Sequence, residues 1–89
     1  MIRSQLFIKR EVGTQSVIVA VGEATRRFHG MITVNATGSF IWDCLERETS
    51  LEEIVAALCA KYEVDADTAR RDAVAFVEKL KGVGAIETA

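Results

Sequence analysis

The stretch 32–42 constrains the fold most, because the apolar spacing changes there from that of a strand to that of a helix. Ile32 and Val34 fit the two-residue repeat of a strand, whereas the apolar residues after Asn35 recur every three or four positions. The side chain of Asn35 can accept hydrogen bonds from the unpaired N–H groups of the first helical turn. We therefore predict a strand that ends at Val34 and a helix capped by Asn35, packed on each other through Trp42.

Two β-rich runs precede this junction, at residues 6–12 and 16–21, and Gly13-Thr14-Gln15 separates them with the composition of a hairpin turn. The second run is apolar at almost every position, which is typical of a central strand that helices cover on one side. Residues 26–34 are predicted to form a third strand, with Gly30 in its interior. These strands predict a small antiparallel sheet with an unpaired edge.

Three helices are predicted after the sheet. The first covers about residues 36–46, and the second begins at one of two overlapping capping boxes, Thr49-x-x-Glu52 or Ser50-x-x-Glu53. Asp65 caps the third, which runs to about Lys81 with an inward stripe formed by Ala69, Ala73, Phe76 and Leu80. The fold class is therefore α+β and winged-helix-like over residues 1–89, with an N-terminal three-stranded antiparallel sheet followed by a three-helix bundle.

Composition disfavours several functions. The chain has 89 residues, which limits the size of its core and disfavours a deep, enclosed active site. Its formal charge of −2 lacks the basic excess that drives association with nucleic acids. No apolar run approaches the ~20 residues that cross a bilayer, and the N-terminus lacks a secretory segment. We therefore expect no membrane partner and a cytoplasmic location.

The sequence offers no set of residues for catalysis. His29 is the only histidine and has no neighbouring Ser or Cys to activate, so we expect it to face solvent or line a groove. Cys44 and Cys59 lie in predicted helices beside the apolar stripes and are predicted to be core thiols, with a disulfide left open. One histidine and no close cysteine pair do not supply a usual zinc site. We predict no metal, no cofactor and no enzymatic activity.

The junction resembles the signature of the PqqD family, small proteins and domains also called RiPP recognition elements for their role with ribosomally made, post-translationally modified peptides. The resemblance rests on spaced positions, namely Val34-Asn35-x-Thr37-Gly38, Ile41-Trp42, residues 49–54, Asp72, Phe76-Val77, Leu80 and Gly84-Ala85-Ile86. It covers about residues 6–87. Leu is commoner in the family at the position of Val34, and Leu-Leu at the position of Ala85-Ile86, but neither departure changes the character of the site.

The resemblance implies that the leader segment of a precursor peptide joins the third strand as an additional strand and settles against the third helix. It also implies delivery to a modifying enzyme, such as a radical SAM or ATP-dependent enzyme. An unpaired sheet edge beside an amphipathic helix is itself a physical receptor for an extended peptide. Rotation away from the inward stripe of the third helix yields a second stripe with an apolar centre and basic ends. The predicted peptide-binding residues are Arg27, Phe28, His29, Gly30, Met31, Ile32, Thr33, Arg70, Val74, Val77 and Lys81.

Three alternatives stay open from the residues alone. Val74 and Val77 can belong to a wider buried face of the third helix instead of a groove. A winged-helix DNA-binding regulator has the same arrangement of elements, and the third helix offers it four basic residues, Arg70, Arg71, Lys79 and Lys81. The unpaired third strand could also pair with a second copy of itself, which would form a homodimer.

Overall fold

The computed structural model describes residues 1–87 and contains the predicted sheet and helices in the predicted order. The elements are β1 (Ile2–Arg3), β2 (Phe7–Val12), β3 (Gln15–Ala20), a 3-10 helix (Gly22–Arg26), β4 (Met31–Val34), α1 (Ala36–Cys44), α2 (Leu51–Tyr62), α3 (Ala66–Gly82) and β5 (Ile86–Glu87). None of the helices within residues 1–87 has the length and apolar content needed to cross a membrane.

The main sheet has the antiparallel order β2-β3-β4, which confirms β3 as the central strand. In this register Ile18 of β3 lies opposite Lys9 of β2 and Ile32 of β4. The hairpin turn is shorter than predicted, because Val12 pairs with Gln15 and leaves only residues 13 and 14 in the loop. Ile18 and Ile32 are buried against the helices, so one face of the sheet forms a wall of the core.

The prediction that residues 26–34 form one strand is wrong, since only Met31–Val34 pairs with β3. A 3-10 helix ends at Arg26, and the carbonyl of its buried Ala24 accepts hydrogen bonds from the amides of residues 27 and 28, which follow in an irregular segment. Phe28 shares the alternation of a strand by coincidence. Its ring reaches the core from this turn and lies 6.1 Å from the ring of Phe7, centroid to centroid.

A second, two-stranded sheet pairs β1 with β5 and joins the two ends of the described chain. The sequence analysis missed it because two-residue strands are too short to show a periodic pattern. The chain reaches β5 through Gly84, whose φ of +78° is the left-handed conformation that follows many helices. The Ala85 amide then donates to the Leu80 carbonyl at 2.9 Å, so the chain reverses at Gly84, two residues after the end of α3.

Each of the three α-helices begins at a side-chain cap. The side-chain oxygen Oδ1 of Asn35 accepts from the Gly38 amide at 2.8 Å, which confirms the predicted strand-to-helix junction. Of the two capping boxes, Ser50 is the one used, because its hydroxyl accepts from the Glu53 amide at 3.1 Å. Asp65 caps α3 by accepting from the Thr68 amide at 2.7 Å. These hydrogen bonds satisfy amides that have no partner inside their own helix.

The core lies between the sheet and the three helices, with Trp42 at 1% exposure among its largest members. Ala69, Ala73 and Leu80 of α3 are buried as predicted. The fourth member of the stripe is Val77, at 4% exposure, whereas Phe76 is only partly buried at the edge of the core. Cys44 and Cys59 are free thiols packed against the core, and burial, followed by the charge of Asp43, raises the pKa of the Cys44 thiol.

Candidate functional site

The two outer strands of the main sheet differ in charge. β2 (FIKREV) carries three charged side chains in a row, which is a common way to block unwanted strand pairing. β4 (MITV) has none, and its Met31 is 60% exposed. Among residues 1–87, β3 is the only strand that pairs with β4. The outer edge of β4 is therefore the side of the sheet best suited to accept another strand.

One face of α3 borders the end of β4 and the first turn of α1. A cavity of about 290 Å³ lies here, lined by Asn35, Thr37, Gly38, Ile41, Asp72, Ala75, Phe76 and Lys79. The close approach depends on Gly38, because a Cβ added there would lie 3.2 Å from Cε1 of Phe76. We call this surface, from β4 to residues 72, 75, 76 and 79 of α3, the β4–α3 groove.

A larger concavity of about 930 Å³ continues from the groove beneath the β2–β3 hairpin. Asn35, Phe76 and Lys79 line both spaces, so the two are contiguous. The walls of the larger one come from the hairpin, from the end of β4 and from all three helices. Its aromatic wall is formed by Phe40 and Tyr62, whose rings meet edge to face with centroids 5.8 Å apart.

The strand half of the predicted site falls into two parts. Met31, Ile32 and Thr33 belong to β4 and lie on its edge as predicted. Residues 27–30, namely Arg27, Phe28, His29 and Gly30, lie in the segment that leads into β4 and not in a strand. Arg27 and His29 follow the 3-10 helix as exposed residues, and Phe28 is directed to the core. Their contacts with a peptide stay a prediction.

The helix half of the predicted site lies on another side of α3. Val74, Val77 and Lys81 border a separate cavity of about 440 Å³, together with the N-terminal residue and the start of α2. Arg70 forms two hydrogen bonds with the Glu52 carboxylate of α2, at 2.5 and 2.8 Å. These hydrogen bonds lower the pKa of the Glu52 carboxyl and raise that of the Arg70 guanidinium. The structure therefore does not bring this half of the site together with β4.

The difference between the predicted and the observed groove face of α3 follows from helical geometry. An α-helix has about 3.6 residues per turn, so positions 74, 77 and 81 point in roughly the opposite direction from positions 72, 75 and 79. Both sets flank the same buried stripe, and periodicity alone does not tell which flank meets the sheet. The sequence analysis therefore missed Asp72, Ala75, Phe76 and Lys79 as groove residues. The signal that could have found them is the presence of Asp72 and Phe76 among the positions that carried the family resemblance.

The basic residues of α3 do not form one surface for DNA. Arg70 is engaged by Glu52, and Lys81 lies 4.0 Å from the Glu78 carboxylate. Lys79 lies in the β4–α3 groove, on the opposite side of the helix from Arg70 and Lys81. A recognition helix needs several such side chains directed to the same groove of the duplex. The fold is shared with winged-helix regulators, but nothing in this arrangement favours the DNA-binding alternative.

Comparison with known families tests the family resemblance of the strand-to-helix junction at residues 32–42. A family model described as coenzyme PQQ synthesis protein D (PqqD) matches residues 15–86. The chain belongs to the PqqD family. The matched region of this PqqD-family chain runs from β3 to β5 and includes β4, the Asn35 cap and the whole β4–α3 groove. A comparison with curated proteins yielded no match.

One solved structure with a similar fold is described as TbiB1 in complex with the TbiA(beta) leader peptide. It aligns with the chain at a TM-score of 0.77 and 29% sequence identity. The alignment covers 100% of this PqqD-family chain and 98% of the other chain, so the similarity extends over nearly all of both chains. The predicted winged-helix-like α+β fold is thereby confirmed.

Proposed function

We propose that this chain binds the leader segment of a ribosomally made precursor peptide. The leader adds as a strand to the outer edge of β4 and places its alternate side chains in the β4–α3 groove. The chain is not itself an enzyme in this proposal. It holds the leader so that a separate modifying enzyme, of the radical SAM or ATP-dependent class, acts on the rest of the precursor. Because precursors of this kind are made by ribosomes, we place the encounter in the cytoplasm.

The observation that supports the proposal most directly is the leader peptide in the TbiB1 complex, whose chain aligns with this one over 98% of its length. Membership of the PqqD family supports the same assignment. Two local features add physical support. The β4 edge has no charged residue to repel an added strand, and the α3 side of the groove has an apolar centre of Ala75 and Phe76 between the charged residues Asp72 and Lys79.

Backbone pairing alone does not account for tight binding. In an antiparallel pair only alternate residues of β4 direct their N–H and C=O groups outward, so its four residues offer two pairs of groups. About four hydrogen bonds at a net 0.5–1.5 kcal/mol each contribute roughly 2–6 kcal/mol. Micromolar affinity corresponds to about −8 kcal/mol, after the loss of translational and side-chain freedom. The groove must therefore supply the remaining free energy and all of the sequence selectivity.

Two neighbouring residues of α3 provide a matched test of the binding surface. Ala75 is exposed in the groove, whereas Val74, about 100° further round the helix, is exposed at the separate cavity beside the start of α2. The probe is a peptide selected on the wild-type protein from a displayed library of random sequences. We expect Ala75→Asp to weaken its binding by about tenfold or more, because the new carboxylate brings a charge into the peptide contact, four residues before Lys79, and competes for that lysine. Val74→Asp is the control and should leave the affinity unchanged.

Several outcomes contradict this proposal. Failure to select any peptide that perturbs the β4 amides would refute strand addition. Loss of binding in Val74→Asp but not in Ala75→Asp would move the peptide to the surface predicted from the sequence.

Two further measurements address the homodimer and the absence of catalysis. If a second copy of the chain occupies the β4 edge, the peptide should dissociate a dimer that sedimentation detects. Mass spectrometry of peptide incubated with this protein alone should show no covalent change, and any mass change would overturn the non-catalytic assignment.

A further inference from the structure

The large concavity beneath the hairpin has a net positive charge, because its lining includes two lysines and one aspartate. Its charged lining residues are Asp43, Lys61 and Lys79. Asp43 is already engaged, because the Lys9 ammonium lies 2.9 Å from its carboxylate and also donates to the Ser39 hydroxyl at 2.7 Å. No salt bridge to Lys61 or Lys79 occurs within residues 1–87. Two ammonium groups from different helices therefore remain available at one opening.

Aromatic rings hold one of these ammonium groups in place. The Lys61 Nζ atom lies 5.5 Å from the centre of the Phe40 ring and 5.6 Å from that of Tyr62. Such cation–π contacts orient a lysine that would otherwise move freely in solvent. Lys79 approaches the same space from α3, beside the partly buried ring of Phe76. The result is a recess with aromatic side chains on its wall and two cations at its opening, which suits a carboxylate side chain that has an apolar neighbour.

The position of this recess relative to β4 determines which part of a peptide reaches it. Thr33, Val34 and Asn35 line it, so it begins where β4 ends. A peptide that continues the antiparallel sheet runs opposite to β4. Its residues beside Val34 therefore precede, in its own sequence, those beside Met31. Whatever enters the recess belongs to the N-terminal side of the pairing segment, away from the part of a precursor that follows the leader.

From this arrangement we propose that Lys61 and Lys79 select precursor peptides with an Asp or Glu just N-terminal to the segment that pairs with β4. This inference rests on the proposed function, because it assigns a specificity subsite to the same bound peptide. The carboxylate lies between the two ammonium groups, and its apolar neighbour contacts Phe40, Tyr62 or Phe76. Backbone pairing holds any extended peptide, so this charge contact contributes to the choice among sequences.

The test uses a peptide selected on wild-type protein from a displayed random library, and the same peptide with its acidic residue replaced by the matching amide. We expect Lys61→Gln and Lys79→Gln each to weaken the acidic peptide about two- to fivefold at low salt, as for exposed charge pairs. The loss should shrink as salt is added. Neither variant should change the affinity of the amide peptide. Lys81→Gln, on the opposite side of α3, is the matched control and should bind both peptides as wild type does.

Selection on the double variant Lys61→Glu/Lys79→Glu supplies an independent readout. We expect the enriched peptides to exchange the N-terminal acidic residue for a basic one. Peptides that pair with β4 but show no acidic enrichment, or that bind all three glutamine variants equally, would refute the subsite and leave the proposed function standing. If no selected peptide perturbs the β4 amides, the proposed function fails, whatever the lysine variants do.

Discussion

Replacing Gly38 with alanine tests how closely α1 and α3 approach beneath the groove. The new methyl carbon would lie 3.2 Å from Cε1 of Phe76, and 3.4 Å from both the Asn35 side-chain oxygen and the Val34 Cβ. The first distance is shorter than an ordinary carbon contact of about 3.5–4.0 Å. The Phe76 ring is partly exposed, so it can move by a few tenths of an ångström toward the groove.

The expected magnitude follows from two opposing effects. Alanine in a helix is more stable than glycine by about 0.8–1.0 kcal/mol in an interior position, and less at the first turn. An added methyl in a filled space typically costs 1–3 kcal/mol. We therefore expect Gly38→Ala to lower the free energy of unfolding by roughly 0–3 kcal/mol. Gly82→Ala is the control, because nothing lies within 4 Å of its added Cβ, and it should stabilise the protein by up to ~1 kcal/mol.

Chemical denaturation of Gly38→Ala, Phe76→Leu and the double variant assigns the effect to this contact. A shorter side chain at position 76 removes the atom that the methyl approaches, so the two substitutions should be coupled by about 1 kcal/mol. Additive effects would refute the close packing of Gly38 on Phe76. Gly38→Ala should also weaken the selected peptide, while Gly82→Ala should not, because only the first displaces a groove side chain. Unchanged binding in a folded Gly38→Ala protein would exclude Phe76 from the peptide contact.

Three further substitutions address stability. Trp42→Ala should destabilise the protein by roughly 3–5 kcal/mol, because the side chain is fully buried, and a loss below ~1 kcal/mol in denaturant melts would contradict its place in the core. Glu63→Gly should stabilise it by a few tenths to ~1 kcal/mol, since Glu63 has a φ of 51°, and destabilisation would show that this conformation is not strained. Hydrogen bonds from Thr68 lower the pKa of the Asp65 carboxyl. The ionised Asp65 therefore stabilises the folded protein above the ordinary aspartate pKa of about 3.9. This stabilisation is lost as the pH falls through the lowered pKa. Asp65→Asn keeps the cap and should therefore lose less stability than wild type below about pH 4, whereas identical acid melts would refute the linkage.

The elements that were predictable from sequence are those in which local chemistry and periodicity agree. The junction at Asn35 combined a capping side chain with a change of apolar spacing, and the structure has both. Asp65 likewise predicted the start of α3, whereas two overlapping capping boxes left the start of α2 open by one residue until the structure showed Ser50 as the cap. The strand before the junction was overextended, because Phe28 has the spacing of a strand residue but reaches the core from a 3-10 turn. Tertiary packing decides whether a residue such as Phe28 lies in a strand or in a turn, and the alternation of apolar residues does not show how the chain packs.

The sequence predicted the kind of site, a strand edge beside a helix, but it located only the strand half correctly. The β4 edge followed from the strand pattern, whereas the partner face of α3 required knowledge of the side on which the sheet lies. Val77 is 4% exposed and Phe76 is partly exposed, the reverse of the predicted stripe. A shift of one residue turns a helix by about 100°, so this exchange moves the groove face to the other flank. The subsite at Lys61 joins residues distant in the chain and has no local pattern.

Backbone amide hydrogen exchange measured with and without a selected peptide tests strand addition to β4 most directly. An added strand bonds the outward amides, so alternate residues of Met31–Val34 should exchange markedly more slowly in the complex. Amide shifts should accompany this protection at positions 72, 75, 76 and 79 of α3. Unchanged exchange along β4, with shifts confined to positions 48–51, 74, 77 and 81, would contradict the account and place the peptide on the opposite side of α3.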